Sequence, residues 1–503
     1  MNSRGLITFC VVLATIMQAL DTTIANVALP YIQGSVSATQ DQINWVLTSY
    51  IVAAAIMTPP TGFLAARFGR KRLFLVSVAG FTAASVLCGF AQSLPQIVLF
   101  RILQGVFGAA LVPLSQAVLL DTYPKEKQGS AMALFGVAVM VGPILGPVLG
   151  GWLTANYSWR YVFYINVPIG IVAFLGIGSF LPDSPRNADT KLDWLGFGTL
   201  SLAIGAMQMM LDRGEQLDWF GSGEIVIEAI TMAAAFYIFL VHILTSPTPF
   251  VRPALFKDRN FSAGMLFIAI VGVTYLASLA LLTPYLQNLM NYPIISAGIV
   301  LGPRGVGTMI AMAIVGRLVG KVDTRLLLAI GLSFTAWALW TMTHWTPDVS
   351  EREIIVNGLL QGAGLGFLFV PLSAATLSTL STAQRTEGAG FYNLSRNIGS
   401  SVGISVVSAL LARNTQINHA EIVNHVTAAN PGFQAPDIAR FWNPLTAAGQ
   451  TALDAVITRE AQIISYANDY KLMMLMTLAA IPLLIVFRKP KTAVAMDHSV
   501  AME

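Results

Sequence analysis

Leu103-Gln104-Gly105, followed by Val112-Pro113-Leu114-Ser115, returns late in the chain as Leu360-Gln361-Gly362 followed by Val370-Pro371-Leu372-Ser373. The triplets lie 257 residues apart and the quartets 258, so one residue slips between the copies. Arg101 precedes the first copy, whereas Gly358 stands at the matching place in the second. Gly142-xxx-Gly146 is echoed by Gly399-xxx-Gly403 in the same register, and the basic stretch Gly62…Arg67-Phe68-Gly69-Arg70-Lys71 has a degraded echo in Gly316-Arg317…Gly320-Lys321…Arg325. Small residues recur in membrane helices for packing reasons alone, but packing imposes no common register. The echoes read as a duplicated apolar scaffold in which only one half kept the charge at this position.

Composition says where such a scaffold lives. Of 503 residues 55% are hydrophobic and 11% charged, and the mean hydropathy is +0.67. Soluble domains carry about 25% charged residues, so this chain faces lipid rather than water. The small basic excess is explained by its placement and implies no nucleic-acid partner. Cys10 and Cys88 fall in apolar runs near opposite membrane faces, too far apart to form a disulfide. The first apolar run passes Asp21 to reach Pro30, longer than a signal-peptide core, and reads as a retained spanning helix.

Spanning helices need about 20 mostly apolar residues. Fourteen candidates fit, near 6–30, 43–66, 73–93, 95–119, 129–154, 160–181, 194–211, 225–244, 260–288, 294–316, 325–343, 353–379, 388–412 and 465–487, the last interrupted near its start by Asp469 and Lys471. Open sheets are excluded at this depth because unpaired backbone groups would meet hydrocarbon, so an all-α integral membrane protein is expected. Placing both termini in the cytoplasm puts nineteen of the 29 Lys and Arg on that side. The echoes then fall on helices four and twelve and on the helix after each. This implies a six-helix half over 1–192, an inserted helix pair over 193–246 and a second half over 247–503. A long outside loop, about 413–464, is expected to hold a soluble amphipathic helix or hairpin, through Ala452, Leu453, Val456, Ile457 and Glu460. It serves either as a partner-docking element or as a cap.

Asp21 is the one acid in the middle of a predicted span, and intramembrane ionisable groups usually mark a site. At about 1.5 Å per residue, Asp21 lies about 13 Å below Pro30 and Arg101 about 9 Å below Pro95, so a pair is geometrically allowed. Burial disfavours a charged carboxyl and a nearby guanidinium favours it. A site that alters this balance as it opens to either side would load and release a proton, while a permanent pair would only hold two helices together. In Gly142-Pro143-Ile144-Leu145-Gly146-Pro147-Val148-Leu149-Gly150-Gly151 the prolines free carbonyls and the glycines permit close helix approach; physics alone favours a simple kink. Gly62, Arg67, Gly69, Arg70 and Lys71 form a tight basic turn whose cations suit helix-end carbonyls.

Taken together these motifs resemble the major facilitator superfamily, and within it the fourteen-helix drug:proton antiporters of the EmrB/QacA type. Leu20-Asp21-Thr22-Thr23-Ile24-Ala25-Asn26-Val27-Ala28-Leu29-Pro30 resembles that group's first-helix signature, and Arg101-xx-Gln104-Gly105 its proton-coupling motif. The 62–72 loop resembles the gating motif, Gly142–Gly151 the antiporter motif, and Trp159-Arg160…Asn166-Val167-Pro168-Ile169-Gly170 also fits. Leu211-Asp212-Arg213-Gly214-Glu215-Gln216-Leu217-Asp218-Trp219-Phe220 and the long last loop resemble the EmrB branch. Ala66 departs from the gating motif, where an acid is usual, and leaves Arg67 and Arg70 to act through helix-end carbonyls.

The resemblance implies a major facilitator fold, proton-driven export of lipophilic toxic compounds across a bacterial inner membrane, and no cofactor beyond the proton gradient. It also implies a periplasmic membrane-fusion adaptor and a TolC-type outer-membrane channel as partners. Three arginines against one aspartate inside the bundle suggest neutral or weakly acidic substrates, with Gln18, Asn26, Gln104, Arg304, Tyr392, Asn393 and Arg396 as candidate pocket residues. Arg304 and Arg396 are the candidate anion contacts, unless they bond only backbone carbonyls. Export of one metabolite or fatty acid and solute uptake by symport remain alternatives. No Gly-x-x-x-x-Gly-Lys-Ser/Thr loop or His-Glu-x-x-His is present, which argues against ATP-driven pumping and metalloenzyme chemistry.

Overall fold

The computed structural model describes residues 3–184, 187, 192–247, 249–382, 384–426, 442 and 445–487. Among them, thirteen helices are long and apolar enough to cross a membrane, and a bent pair completes a fourteenth span. We number the crossings α1 (Ser3–Val36), α2 (Trp45–Met57 with Thr61–Phe68), α3 (Arg70–Phe90), α4 (Leu94–Thr122), α5 (Gln128–Asn156), α6 (Tyr161–Phe180) and α7 (Trp194–Arg213). The rest are α8 (Gly223–Thr245), α9 (Arg259–Leu289), α10 (Ile294–Leu318), α11 (Thr324–Met342), α12 (Glu351–Ser378), α13 (Arg385–Val423) and α14 (Ala447–Ala480). The two parts of α2 meet at 58° across Thr58-Pro59-Pro60, where two prolines withdraw backbone donors. Large side chains such as Phe9, Val76, Leu99, Leu175, Tyr237, Leu266 and Trp337 are exposed on the outer surface, as a lipid-facing bundle requires.

The duplication is visible in the packing. α1 packs on α5, α2 on α4 and α3 on α6; the same partnerships recur as α9 on α13, α10 on α12 and α11 on α14. Each number shifts by eight because α7 and α8 intervene. The repeated Gln-Gly step has the same task in both copies. A Cβ on Gly105 would sit 2.6 Å from the Tyr50 carbonyl oxygen of α2, and one on Gly362 would run into the Arg304 carbonyl of α10. The Gly-xxx-Gly rows likewise seat each fifth helix on the first helix of its half: Gly142 and Gly146 on Ala19 and Thr23, Gly399 and Gly403 on Ala269 and Val273. α5 stays helical through Pro143 and Pro147.

The halves meet along α5 and α10, with Ser130 Oγ donating to the Gly316 carbonyl (3.1 Å). The inserted α7 packs on α2 and α13, one helix from each half. Gln208 pairs with Ser401 (3.0 Å) and Ser405 donates to the Leu211 carbonyl (2.5 Å). Asp193 ties the inserted pair to the entry of α9: it accepts from the Gly196 and Phe250 N–H groups, both at 3.0 Å, and meets His242 Nε2 at 2.8 Å. Burial would raise the Asp193 carboxyl; the two N–H groups and His242 outweigh it and hold it below the ordinary carboxylate range.

Two expectations need correction. The 413–464 segment holds the expected helix over 452–460, but as a continuation of the last span rather than a separate loop element. α13 runs 39 residues to Val423 and α14 begins at Ala447, 18 residues before the predicted span. At about 1.5 Å per residue α13 is about 58 Å long, well beyond a hydrocarbon core of about 30 Å. The two ends pair as arms through Asn418–Ser465 (2.9 Å) and His419–Asp454 (3.0 Å); residues 427–441 lie outside the described set. The second correction concerns charge. Asp469, where the sequence predicts a break near the start of the last span, lies inside continuous helix and is 1% exposed, so Asp21 is not the one buried acid of the bundle.

Gly146 and Gly151 make a paired test of the α1–α5 contact. Gly146→Val drives a side chain into Thr23 and is expected to cost about 1–3 kcal/mol, read as a lower unfolding midpoint in detergent. Gly151, whose Cβ position has nothing within 4 Å, should accept Ala with a change no larger than about 1 kcal/mol.

Candidate functional site

The close α2–α4 crossing at Gly105 brings Arg101 against α2. Arg101 Nε donates to the Val46 carbonyl (3.0 Å), and its guanidinium carbon lies 4.3 Å from the centre of the Tyr50 ring. Across from it, α1 is held by α5, with Thr23 Oγ1 donating to the Gly142 carbonyl (2.9 Å). Asp21 thereby points into the same space, and Arg101 Nη1 donates to its Oδ2 at 2.6 Å. Gln104 Nε2 and Asn166 Nδ2 donate to Oδ1 at 2.7 and 2.9 Å, and Arg101 Nη1 also reaches Gln104 Oε1 at 2.7 Å. Asp21, Gln104 and Asn166 have no exposed surface and Arg101 has 1%. Three donors and no acceptor face the carboxylate.

Asn166 on α6 and Tyr50 on α2 complete this cluster and were not singled out from the sequence as site residues. Asn166 had a signal, its place in the Trp159…Gly170 stretch; its amide also donates to Ser85 Oγ at 2.9 Å. Tyr50, aromatic in an apolar run, carried none.

A second polar group spans the two halves on the face that carries the 62–72 turn. Arg70 bonds the Asp121 carboxylate at the end of α4 and the Thr382 carbonyl before α13, and Arg385 of α13 bonds the other Asp121 oxygen. Arg70 therefore acts through a carboxylate as well as a carbonyl, which corrects the expectation of helix-end carbonyls alone. Gly69, at φ +87°, makes the turn that an L side chain resists, and Gly62 lets α2 lie against the Glu387 backbone. Deeper, Asn393 Nδ2 donates to Gln116 Oε1 across the halves at 2.6 Å. Arg67 lies 6.0 Å over the Phe68 ring, and Lys71 is half-buried. Towards the opposite face, Gly151, Gly298 and Gly302 have nothing within 4 Å of a Cβ position. The halves are sealed on the 62–72 side.

The seven candidate pocket residues are not brought into one group. Gln104 belongs to the Asp21 cluster, and Gln18 Nε2 donates to the Tyr50 hydroxyl at 3.2 Å beside it. Asn393 is part of the seal, Tyr392 is fully buried, and Asn26 is exposed on α1. Arg396 is half-buried and reaches Asn397 Oδ1 at 3.4 Å. Arg304 is buried inside the second half against α9 and α12.

Known proteins share this architecture. The description of the Major Facilitator Superfamily matches residues 11–404. The fatty acid resistance protein FarB of Neisseria gonorrhoeae is 39% identical over 422 residues, which cover 84% of this chain and 83% of the relative. The multidrug export protein EmrB of Escherichia coli K12 is 36% identical over 474 residues, covering 92% and 91%. Among solved structures, the human organic anion transporter MFSD10 aligns with a TM-score of 0.59 at 14% identity, over 94% of this chain and 99% of that one. The proton:xylose symporter XylE aligns at the same score and identity over 96% and 99%; at that identity the likeness is one of fold. With the helical count and the repeated packing, these matches establish that the chain is a multi-pass membrane protein belonging to the Major Facilitator Superfamily, a family of transporters.

Proposed function

We propose that the chain is a proton-driven exporter of lipophilic toxic compounds. The observation that carries this reading is the buried Asp21–Arg101 pair, a carboxylate fully enclosed by three donors. Breaking a buried pair by removing one partner costs about 3–5 kcal/mol, enough to bias a conformational equilibrium. The pair is also wired to the seal: α2 holds Arg101 through Val46 and Tyr50, and its far end carries Gly62 and the turn to Arg70. When a proton neutralises Asp21, Arg101 keeps its α2 and Gln104 contacts and loses its hold on α1. Relaxed coupling between α1 and α2 then frees the end of α2 to leave α13. Alternating access in such two-halved transporters is rocking of one half against the other.

Orientation follows from the basic residues on the sealed side, which we place in the cytoplasm with both termini. The state described is then closed inward, the state in which an antiporter takes a proton from outside. The names of the relatives support export of lipophiles: one is a fatty acid resistance protein and another a multidrug export protein. The paired α13 and α14 arms project from the outer face and suit a periplasmic membrane-fusion adaptor leading to a TolC-type channel, in a bacterial inner membrane.

Asp21→Asn keeps an acceptor for Gln104 and Asn166 and removes the titration. In inverted vesicles with an acidified lumen, the wild type should release protons when substrate is added, and this variant should release none. Undiminished release would overturn the coupling role. A second variant tests the seal. Asp121→Asn breaks the bridge between Arg70 and Arg385, so a cysteine placed at the buried Thr386 should react at least about threefold faster with an impermeant maleimide from the cytoplasmic side; an unchanged rate would remove Asp121 from the gate.

A further inference from the structure

The second half contains a guanidinium with less compensation than any ion pair described above. Arg304, 3% exposed, donates through Nη2 to the Ser278 hydroxyl (2.7 Å) and the Tyr275 carbonyl (3.2 Å), and its guanidinium carbon lies 4.2 Å over the Tyr275 ring. Its Nε and Nη1 have no hydrogen-bond partner. Gln361, the counterpart of Gln104 by the 257-residue register, donates to the same Ser278 oxygen at 2.9 Å. In the first half a glutamine and an arginine converge on the Asp21 carboxylate; in the second, a glutamine and an arginine converge on a neutral hydroxyl. The arginine has changed helices. At the Arg101 position stands Gly358, whose Cβ would lie 3.6 Å from the Arg304 backbone and Cβ, and the charge enters from α10 instead.

A hydroxyl cannot neutralise a guanidinium, and arginine does not shed its proton inside a protein. An unpaired buried charge is costly, and charge-assisted bonds to a carboxylate are the strongest way to satisfy its N–H groups. We propose that Arg304 anchors the carboxylate of a lipophilic monocarboxylic acid, seated between α9, α10 and α12 as the Asp21 carboxylate is seated in the first half. The surroundings suit the rest of such a molecule. An apolar cluster flanks Ser278 with Ala277, Leu281 and Leu282 and continues through Tyr285, Tyr470 and Met473. The hydroxyls of Tyr285 and Tyr470 are without partners. α9 is π-helical over Gly272–Leu276, a turn type whose looser bonding recurs at functional sites. Tyr275, the lid over the guanidinium, lies in that turn.

This assignment rests on the export reading for its biological sense and names the substrate class; its test is equilibrium binding and needs no transport. The probe is dodecanoate at pH 8, titrated by calorimetry into the full chain purified in detergent, with dodecylamine and dodecanol as controls. The acid is expected to bind at least tenfold tighter than either control. Ser278→Asp supplies the fixed carboxylate of the first half, so it should weaken dodecanoate binding at least tenfold while its unfolding midpoint stays at or above that of the wild type. Arg304→Gln should weaken binding equally. Dodecanoate binding to Ser278→Asp at wild-type affinity, or equal binding of acid and amine, would overturn the assignment. Proton release in the Asp21 variant is a separate readout, so either proposal can fail alone.

Discussion

The ion pair between Asp21 and Arg101 is the constraint to which the first half answers. Two opposite charges with at most 1% exposed surface need polar neighbours to offset their lost hydration. The chain supplies them around the Asp21 carboxylate of α1 from three further helices: Val46 and Tyr50 on α2, Gln104 on α4 and Asn166 on α6. Each contact demands a helix at a set distance, and glycine sets those distances. Gly105 brings α4 to α2, and Gly142 and Gly146 bring α5 to α1 on either side of Asp21. The antiporter-type run is therefore more than a kink: its glycines are the surface on which the helix carrying the acid rests. The prolines between them leave the helix continuous.

Duplication preserved geometry and redistributed charge. Gly362 and Gln361 repeat the work of Gly105 and Gln104, yet Asp21 is answered by Ser278 and Arg101 by an arginine one helix away. Close packing explains why the glycines could not drift while the ionisable groups could. A methyl group at Gly362 meets backbone, which cannot yield, whereas a guanidinium can arrive at one point from either of two neighbouring helices. The halves thus share a frame and differ in net charge at the matching place, neutral in the first and positive in the second.

The parts of this design that were legible in the sequence are those carried by local composition. Apolar runs marked the fourteen spans, the echoes marked the halves, and a lone acid and a lone arginine at similar depth marked the pair. Long-range pairings were not legible. Asp121 and Arg385 lie 264 residues apart, and neither belongs to a motif that names the other, so the seal was read as a basic turn alone. The helical spacing at 452–460 marks the arm of α14, but not its continuity with the span, because hydropathy stops where a helix leaves the bilayer while the backbone bonds that sustain it do not. Asp469 shows the opposite limit: a charged residue near the start of an apolar run looks like a boundary, and only packing shows that it is enclosed. The seven pocket candidates share only polarity on an apolar helix, and polarity alone cannot separate a ligand contact from a helix tie such as Asn393 to Gln116.

The seal and the pair acquire their relation through α2. Its first part touches Arg101 at Val46 and Tyr50, its second part ends at the Gly69 turn, and the two parts meet at 58° over consecutive prolines. A continuous helix would transmit a shift at Tyr50 along its axis. A hinged one converts it into a swing of the Thr61–Phe68 segment, the part that lies on α13 through Gly62 and Glu387. Gly390 against the Thr58 carbonyl places the second half directly at the hinge. The hinge therefore stands between the buried carboxylate and the contacts that join the halves on the 62–72 side, so the two sites share one helix whose parts can turn separately.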